Sequence, residues 1–232
     1  MDDHPPSEQG SGPDVGCAEL AALRDAYRDA VVLGAVTAAE RVIAEAMDAG
    51  LTEAVIGDEI IAPAMREVGE RWETGDLSVE QEHVASGITM RMISLQRAHF
   101  RVQHRRSAQR VLLAAVEGET HVLGLEMAAS ALLHAGYDVR MLGPDIATRD
   151  LAAEVAHHRP AILGLTTTTK DSAERVMRAV AAARSVAPDL AVIVGGSAGR
   201  YVPAAGPDVV ICTHISDAVG LADALTQRAG LN

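Results

Sequence analysis

"VLLAAVEGETHVLGLEMAASALLHAG", residues 111–136, is the stretch on which the fold turns. Val111–Val116 is an unbroken aliphatic run, as expected for a strand buried on both faces. The apolar positions after it recur with helical spacing. Between the two lies a polar turn, "EGETHVLG" (Glu117–Gly124), with His121 at the exit of the strand. An acid, Glu119, stands two residues before the histidine and Gly124 three after. Taken alone, His121 reads either as a polar loop residue or as a ligand aimed over the edge of a sheet.

The same rhythm repeats to the end of the chain. "DVRML", "AILGLTTT", "LAVIVGG" and "DVVICT" are further short strand candidates. They alternate with helical stretches, "TRDLAAEVAHHR", "KDSAERVMRAVAAARSVA" and "ISDAVGLADALTQRAG". Strand–helix alternation specifies an α/β domain with a parallel sheet covered on both faces, here five strands in a flavodoxin-like order. Ligands of such sheets bind at the carboxyl ends of the strands. Four loops therefore matter: "EGETHVLG", "TTTT" (Thr166–Thr169), "GGSAGR" (Gly195–Arg200) and "CTHISD" (Cys212–Asp217). None contains a G-x-G-x-x-G dinucleotide motif or a P-loop. His214 in the fourth loop is a candidate contact. His157–His158 reads as a helix C-terminus with favourable positive charge, and "GRY" (Gly199–Tyr201) as a loop.

Upstream the pattern is helical throughout, and four amphipathic segments with short connections form a helical bundle. The first is "AELAALRDAYRDAVVLG". The second is "TAAERVIAEAMDAG", with Thr37 as expected N-cap and Gly50 as stop. The third, "TEAVIGDEIIAPAMREVGERWETG", contains Pro63, which predicts a kink or break, and ends at Gly75. The fourth opens at Ser78 as N-cap. The expected organisation is a disordered tail over 1–16, a helical cap over 17–103, a linker over 104–110 and an α/β domain over 111–232. From Arg91 to Arg110 the chain holds six arginines and no acid, which reads as a solvated hinge or as a docking patch for an acidic partner or neighbouring subunit.

Composition narrows the function. A net charge of −12 argues against direct nucleic-acid binding, which needs a basic face. Only 2% of residues are aromatic, so stacking platforms are not expected, and the contacts of the one tryptophan, Trp72, become informative. Cys17 and Cys212 form no metal motif. No apolar run is long enough for a bilayer and no signal segment opens the sequence, so a cytoplasmic protein without membrane contact is expected.

The spacing of the strand-end loops resembles that of cobalamin (vitamin B12)-binding domains. Their pattern is Asp-x-His-x-x-Gly, then about 41 residues to Ser-x-Leu, then about 26 to 28 to Gly-Gly. Here Glu119-Thr120-His121-Val122-Leu123-Gly124 is followed, after residues 125–165, by Thr166-x-Thr168 and, after residues 169–194, by Gly195-Gly196. The resemblance implies that His121 binds cobalt from below in place of the cofactor's own dimethylbenzimidazole, with Glu119 behind it. Thr120, Val122 and Gly124 would line the same turn. Thr166 and Thr168 would contact the displaced nucleotide tail, and Gly195 and Gly196 would let backbone approach it. Glu119 stands where many carriers have Asp, and Thr-x-Thr replaces Ser-x-Leu.

The helical half resembles the caps of methionine synthase and corrinoid carrier proteins. Its "WETGDLSVEQEH" places Trp72 nine residues (73–81) before Glu82-His83. That pattern resembles adenosylcobalamin-dependent photoreceptors of the CarH/LitR type, in which the Trp packs on the adenosyl group and the Glu-His pair lines its pocket. Val79 would complete the wall. Apart from this, Trp72 reads as a core anchor and Glu82-His83 as an ordinary first turn of a helix. Where the best-known photoreceptors have a His after the Trp, this chain has Glu73. No winged helix-turn-helix is expected before the cap. The resemblance implies a cobalamin-binding sensor rather than an enzyme, responsive to light, self-associating or docking a regulatory protein, and acting in signal transduction or transcription regulation through an effector in trans. The alternatives are a corrinoid methyl carrier of a methyltransferase system and the small subunit of a radical mutase.

Overall fold

The computed structural model describes residues 15–100, 109–202, 209–228 and 230. The expected tail falls almost wholly outside them, as does most of the expected linker.

The cap is built as its sequence periodicity requires, with two local differences. Helix α1 (Cys17–Val32) turns at Gly34, whose φ is +69°, into α2 (Val36–Asp48). Thr37 is not the N-cap of α2. Ala35 occupies that position without a side-chain cap, because the Gly34 turn folds back at once and Val36 N–H donates to Gly34 O at 3.1 Å. Gly50, at φ +81°, ends α2 as expected. The second difference is the form of the break before Pro63. Short α3 (Glu53–Val55), capped by Thr52, runs into a π-helical turn, Ile56–Ile61, and on into α4 (Ala62–Glu73). The turn lies just before the proline, where a regular ladder would call on the N–H that proline lacks, and the chain continues into α4 without a gap. Gly75, at φ +83°, closes α4, and Ser78 opens α5 (Val79–His99) through a capping box with Gln81. The cap core is aliphatic around one buried tyrosine: Tyr27 is fully buried and donates to Thr89 Oγ1 at 3.0 Å. Burial raises its phenol pKa well above the usual value, while the Thr89 hydrogen bond acts the other way.

The second half is a five-stranded sheet. Strands β1 (Arg110–Val116), β2 (Asp138–Ile146), β3 (Ile162–Thr166), β4 (Ala191–Gly195) and β5 (Val209–Ile211) lie in the order β2-β1-β3-β4-β5, every pair parallel. Helices α7 (Thr148–His158) and α8 (Lys170–Val186) cover one face against Leu112, Ala114 and Val116. Helices α6 (Leu123–His134) and α9 (Asp217–Arg228) cover the other, against Val111 and Leu113. Alternate residues of β1 thus feed two cores, which is why the strand reads as one continuous apolar run.

Cap and sheet domain are joined along α6. Met127 belongs to the cap core, with Leu123 and Ile215 packed against it. Arg97 donates to Glu126 at 3.0 Å and to Ser130 at 3.1 Å, and His134 pairs with Glu53. The arginine-rich segment is therefore partly neutralised within the chain: Arg91 meets Glu40, Arg97 meets Glu126 and Arg110 meets Asp138. Arg101, Arg105 and Arg106 lie outside the described residues. No helix among the described residues is long and apolar enough to cross a membrane.

Candidate functional site

The parallel register brings the first three strand-end loops side by side. Ala115 on β1 lies beside Thr166 on β3, which lies beside Gly195 on β4. The turn after β1 is held by Gly118, at φ +77°, whose N–H donates to Asp145 Oδ1 at 2.6 Å. The chain then sends Glu119 inward and His121 outward: Glu119 is 1% exposed, whereas the imidazole of His121 is 61% exposed.

The buried carboxylate is the organising group. Its Oε1 accepts His121 N–H at 2.9 Å and faces His121 Nδ1 at 2.7 Å. Its Oε2 accepts Thr168 N–H at 2.6 Å, Thr168 Oγ1–H at 2.7 Å and Ser172 Oγ–H at 3.1 Å. Burial pushes this carboxyl up, but the hydrogen bonds from His121 and Thr168 outweigh it and hold it at about 2. It is therefore an anion at neutral pH. That anion makes Nδ1 of His121 the protonated nitrogen and leaves Nε2 with its lone pair, without a hydrogen bond among the described residues. The Glu119 hydrogen bond raises the imidazole pKa, burial opposes it, and the charges of Glu119, Glu82 and Glu73 raise it further. Two carboxylates of the cap thus contribute to the raised pKa of a histidine of the sheet domain.

The sequence-derived site residues separate into those that converge and those that do not. Thr168 joins the Glu119–His121 pair directly; its hydroxyl also lies 3.0 Å from His121 Nδ1. Thr166, the last residue of β3, is 4% exposed and makes no hydrogen bond to the pair among the described residues. Thr120 and Gly124 are exposed and Val122 half-buried, at the N-terminus of α6. The two glycines differ. At Gly196, φ is +92° and an added Cβ would lie 2.2 Å from Thr167 O, so the protein's own backbone demands glycine. At Gly195 the nearest neighbour of an added Cβ is Cys212 O at 3.8 Å, and at Gly124 nothing lies within 4 Å. The fold leaves those two positions open. His214 is exposed in the fourth loop, 3.6 Å from Asp217.

On the cap side, Trp72 is 41% exposed and Val79 55% exposed. Trp72 is therefore no core anchor. The turn between α4 and α5 is fixed by Gly75 N–H to Trp72 O at 3.1 Å and by the Ser78–Gln81 capping box, so the exposed indole is carried on a rigid corner. Glu82 accepts from Ser86 Oγ at 2.7 Å and faces His83 Nδ1 at 2.7 Å.

Ser172 is the member of the site that motif spacing missed. It is 1% exposed, and its hydroxyl is shared between Glu119 and the capping box of α8, in which Thr169 is the N-cap. The local signal was the Thr169-x-x-Ser172 capping pattern, which speaks of a helix start and says nothing of Glu119.

These residues fit a metal that brings most of its own ligands. Among the described residues no group of three or more His, Cys, Asp or Glu could hold a bare ion. A single exposed imidazole, oriented by a buried carboxylate, offers one axial ligand, and the open positions at Gly124 and Gly195 leave room beside it. A B12-binding domain model matches residues 109–220, and a second model, also described as a B12-binding domain, matches residues 23–95.

The chain is a B12-binding protein.

The relatives of this B12-binding protein fall into two groups. It is 39% identical over 145 residues to the HTH-type transcriptional repressor CarH of Myxococcus xanthus, a match over 62% of this chain and 47% of the repressor. It is 28% identical over 139 residues to trimethylamine corrinoid protein 1 of Methanosarcina mazei, over 56% of this chain and 63% of that protein. The chain thus spans about half of the repressor and under two thirds of the corrinoid protein. The structure of the Methanosarcina barkeri monomethylamine corrinoid protein superposes with a TM-score of 0.69 at 18% identity, covering 87% of this chain and 97% of that one. That likeness is one of fold: a helical cap joined to a Rossmann-like domain.

Proposed function

We propose that this B12-binding protein is a sensor that holds adenosylcobalamin between cap and sheet domain, with His121 Nε2 as the lower cobalt ligand. The bound cofactor would supply a light-cleavable cobalt–carbon bond. The chain's own contributions are distinct. Glu119 fixes the His121 tautomer, with Thr168 and Ser172 holding Glu119. The open positions at Gly124 and Gly195, with Thr120, Val122, Thr166, Gly196 and His214 around them, would take the corrin edge and nucleotide tail. Trp72, Val79, Glu82 and His83 would form the wall of the upper pocket.

The observation that carries this reading is the exposure of Trp72 and Val79 on a rigid corner, next to a cap whose Glu73 and Glu82 act on His121. A large apolar ligand with polar edges would cover that indole and offer donors to Glu82. A methyl group would leave both side chains bare. The similarity to a transcriptional repressor supports a regulatory role, with output through self-association or a protein partner. The similarity to methylamine corrinoid proteins supports a second reading, a methyl carrier serving a methyltransferase system.

Dark reconstitution with adenosyl- and methylcobalamin, followed by absorbance and size-exclusion profiles before and after green light, separates the two. The sensor reading expects preference for the adenosyl form and a light-dependent change in assembly. Assembly indifferent to light, together with methyl transfer from a partner, would overturn it. His121→Ala should remove the base-off, histidine-ligated spectrum; an unaltered spectrum would refute the lower-ligand assignment.

A further inference from the structure

The π-helical turn Ile56–Ile61 lies where the third helix of the cap meets the sheet domain, and π-turns are frequent at functional positions. Two adjacent residues in it make contacts across that boundary. Gly57 comes so close that an added Cβ would lie 3.3 Å from Met127 Sδ and 3.8 Å from Ile215 Cγ1. Asp58 divides its carboxylate between two backbone donors: Oδ1 accepts Ile215 N–H at 2.6 Å and Oδ2 accepts Ser216 N–H at 2.9 Å. Those amides immediately precede α9, which starts at Asp217. Amides at a helix N-terminus lack intrahelical acceptors and carry the positive end of the helix dipole, so an anion there is favoured.

The loop held in this way lies against Gly195, at the carboxyl edge of the sheet, where domains of this kind have their ligand crevice. Cys212 N–H donates to Val194 O at 2.8 Å, and Cys212 O is the nearest atom to a Cβ built on Gly195. Cys212 Sγ donates to His214 O at 3.1 Å, and His214 O in turn accepts Asp217 N–H at 3.2 Å. The chain of contacts from Asp58 through Ile215 and Ser216 to Cys212 and Gly195 is therefore continuous. Asp58 is also close enough for its charge to act on the Cys212 thiol.

We propose that Asp58 is a positioning residue that couples the seating of the cap to the width of the crevice beside Gly195. The inference rests on reading that crevice as the place of the cofactor's nucleotide tail. A group that fills the crevice must then favour one position of the cap, and a cap held in that position must favour the group, because coupling between two sites is reciprocal.

The test uses the full chain and two readouts. Amide hydrogen exchange at Ile215 and Ser216 is measured without cofactor in wild type, Asp58→Ala and Asp58→Asn. Loss of one charge-assisted hydrogen bond per amide should accelerate exchange about 10-fold or more in Asp58→Ala. Asp58→Asn keeps one acceptor and should fall between. Dissociation constants are then measured for cobalamin and for cobinamide, which has the corrin ring without the nucleotide tail. Asp58→Ala should weaken cobalamin about 10-fold and change cobinamide by less than about 2-fold. Unchanged exchange at both amides overturns the tie itself. Equal weakening of both corrinoids, or of neither, overturns the coupling. If wild type binds neither corrinoid, the proposed function falls and the tail assignment with it; the exchange result still decides whether Asp58 holds the loop.

Discussion

Replacing Glu119 by glutamine (Glu119→Gln) preserves size and removes the charge at the centre of the site. Five donors point at this carboxylate: the N–H and Nδ1 of His121, the N–H and hydroxyl of Thr168, and the hydroxyl of Ser172. Hydroxyls can rotate and the imidazole can change tautomer, but a backbone N–H cannot adapt. Whichever way the glutamine amide is turned, its NH2 group faces either His121 N–H or Thr168 N–H, and that donor is stranded in a buried position. A stranded buried donor costs about 1–3 kcal/mol, and the remaining bonds lose their charge assistance. The pKa leads to a similar figure. The carboxyl is held at about 2 against an ordinary 4.5, which corresponds to about 3 kcal/mol of stability at neutral pH. A depressed carboxyl pKa stabilises the folded state fully above the unfolded value and progressively less as pH falls towards the folded one. The raised pKa of His121 is the same hydrogen bond seen from the other partner. Its contribution is present below the unfolded histidine pKa and fades as pH rises through the folded value, so the two are not summed. Urea denaturation of the cofactor-free protein, followed by circular dichroism, should show Glu119→Gln less stable by about 3 kcal/mol at pH 7 and by less than half of that at pH 3. A variant as stable as wild type at pH 7, or a deficit independent of pH, would refute the role given to this carboxylate.

Four other outcomes are expected. Gly196→Ala forces a Cβ against Thr167 O at a φ of +92° and should cost about 2 kcal/mol or more in denaturation. Gly195→Ala meets only Cys212 O at 3.8 Å and should change stability by less than about 1 kcal/mol while weakening cobalamin in an absorbance titration; the reverse order would dismiss the open position. Trp72→Ala removes a half-exposed side chain and should cost the cofactor-free fold less than about 1 kcal/mol, yet selectively lower affinity for adenosyl- over methylcobalamin; an equal change for both would count against the upper pocket. The Cys212 thiol is pushed up to about 11, chiefly by burial, with Asp217 and Asp58 adding to it. A two-unit rise leaves about 100-fold less thiolate at pH 8. A disulfide exchange assay should therefore resolve a fast thiol, exposed Cys17, and a slow one, and two equally fast thiols would contradict this placement.

Much of the architecture was legible because it is encoded locally. The aliphatic runs and the helical periodicity between them predict the alternating elements, and Gly50, Gly75 and Ser78 mark helix ends where the backbone needs a positive φ or a side-chain acceptor. Thr37 misled because a cap-forming side chain is only a preference; the Gly34 turn starts α2 without it. Pro63 signalled an irregularity, but a kink, a break and the π-turn actually formed at Ile56–Ile61 all answer that signal.

By itself, the sequence determined the two-part organisation, the parallel sheet and the placing of His121, Thr168 and Gly195 at its carboxyl edge, because strand length and alternation are short-range properties. Only the tertiary structure decided which side chains meet. Thr168 and Ser172, rather than Thr166, reach Glu119 from 49 and 53 residues away. Asp58 reaches Ile215 across 157 residues. A hydrogen bond forms or fails within a few tenths of an ångström, and that distance is set by how helices pack on a sheet and a cap on a domain, which no periodicity in the chain records.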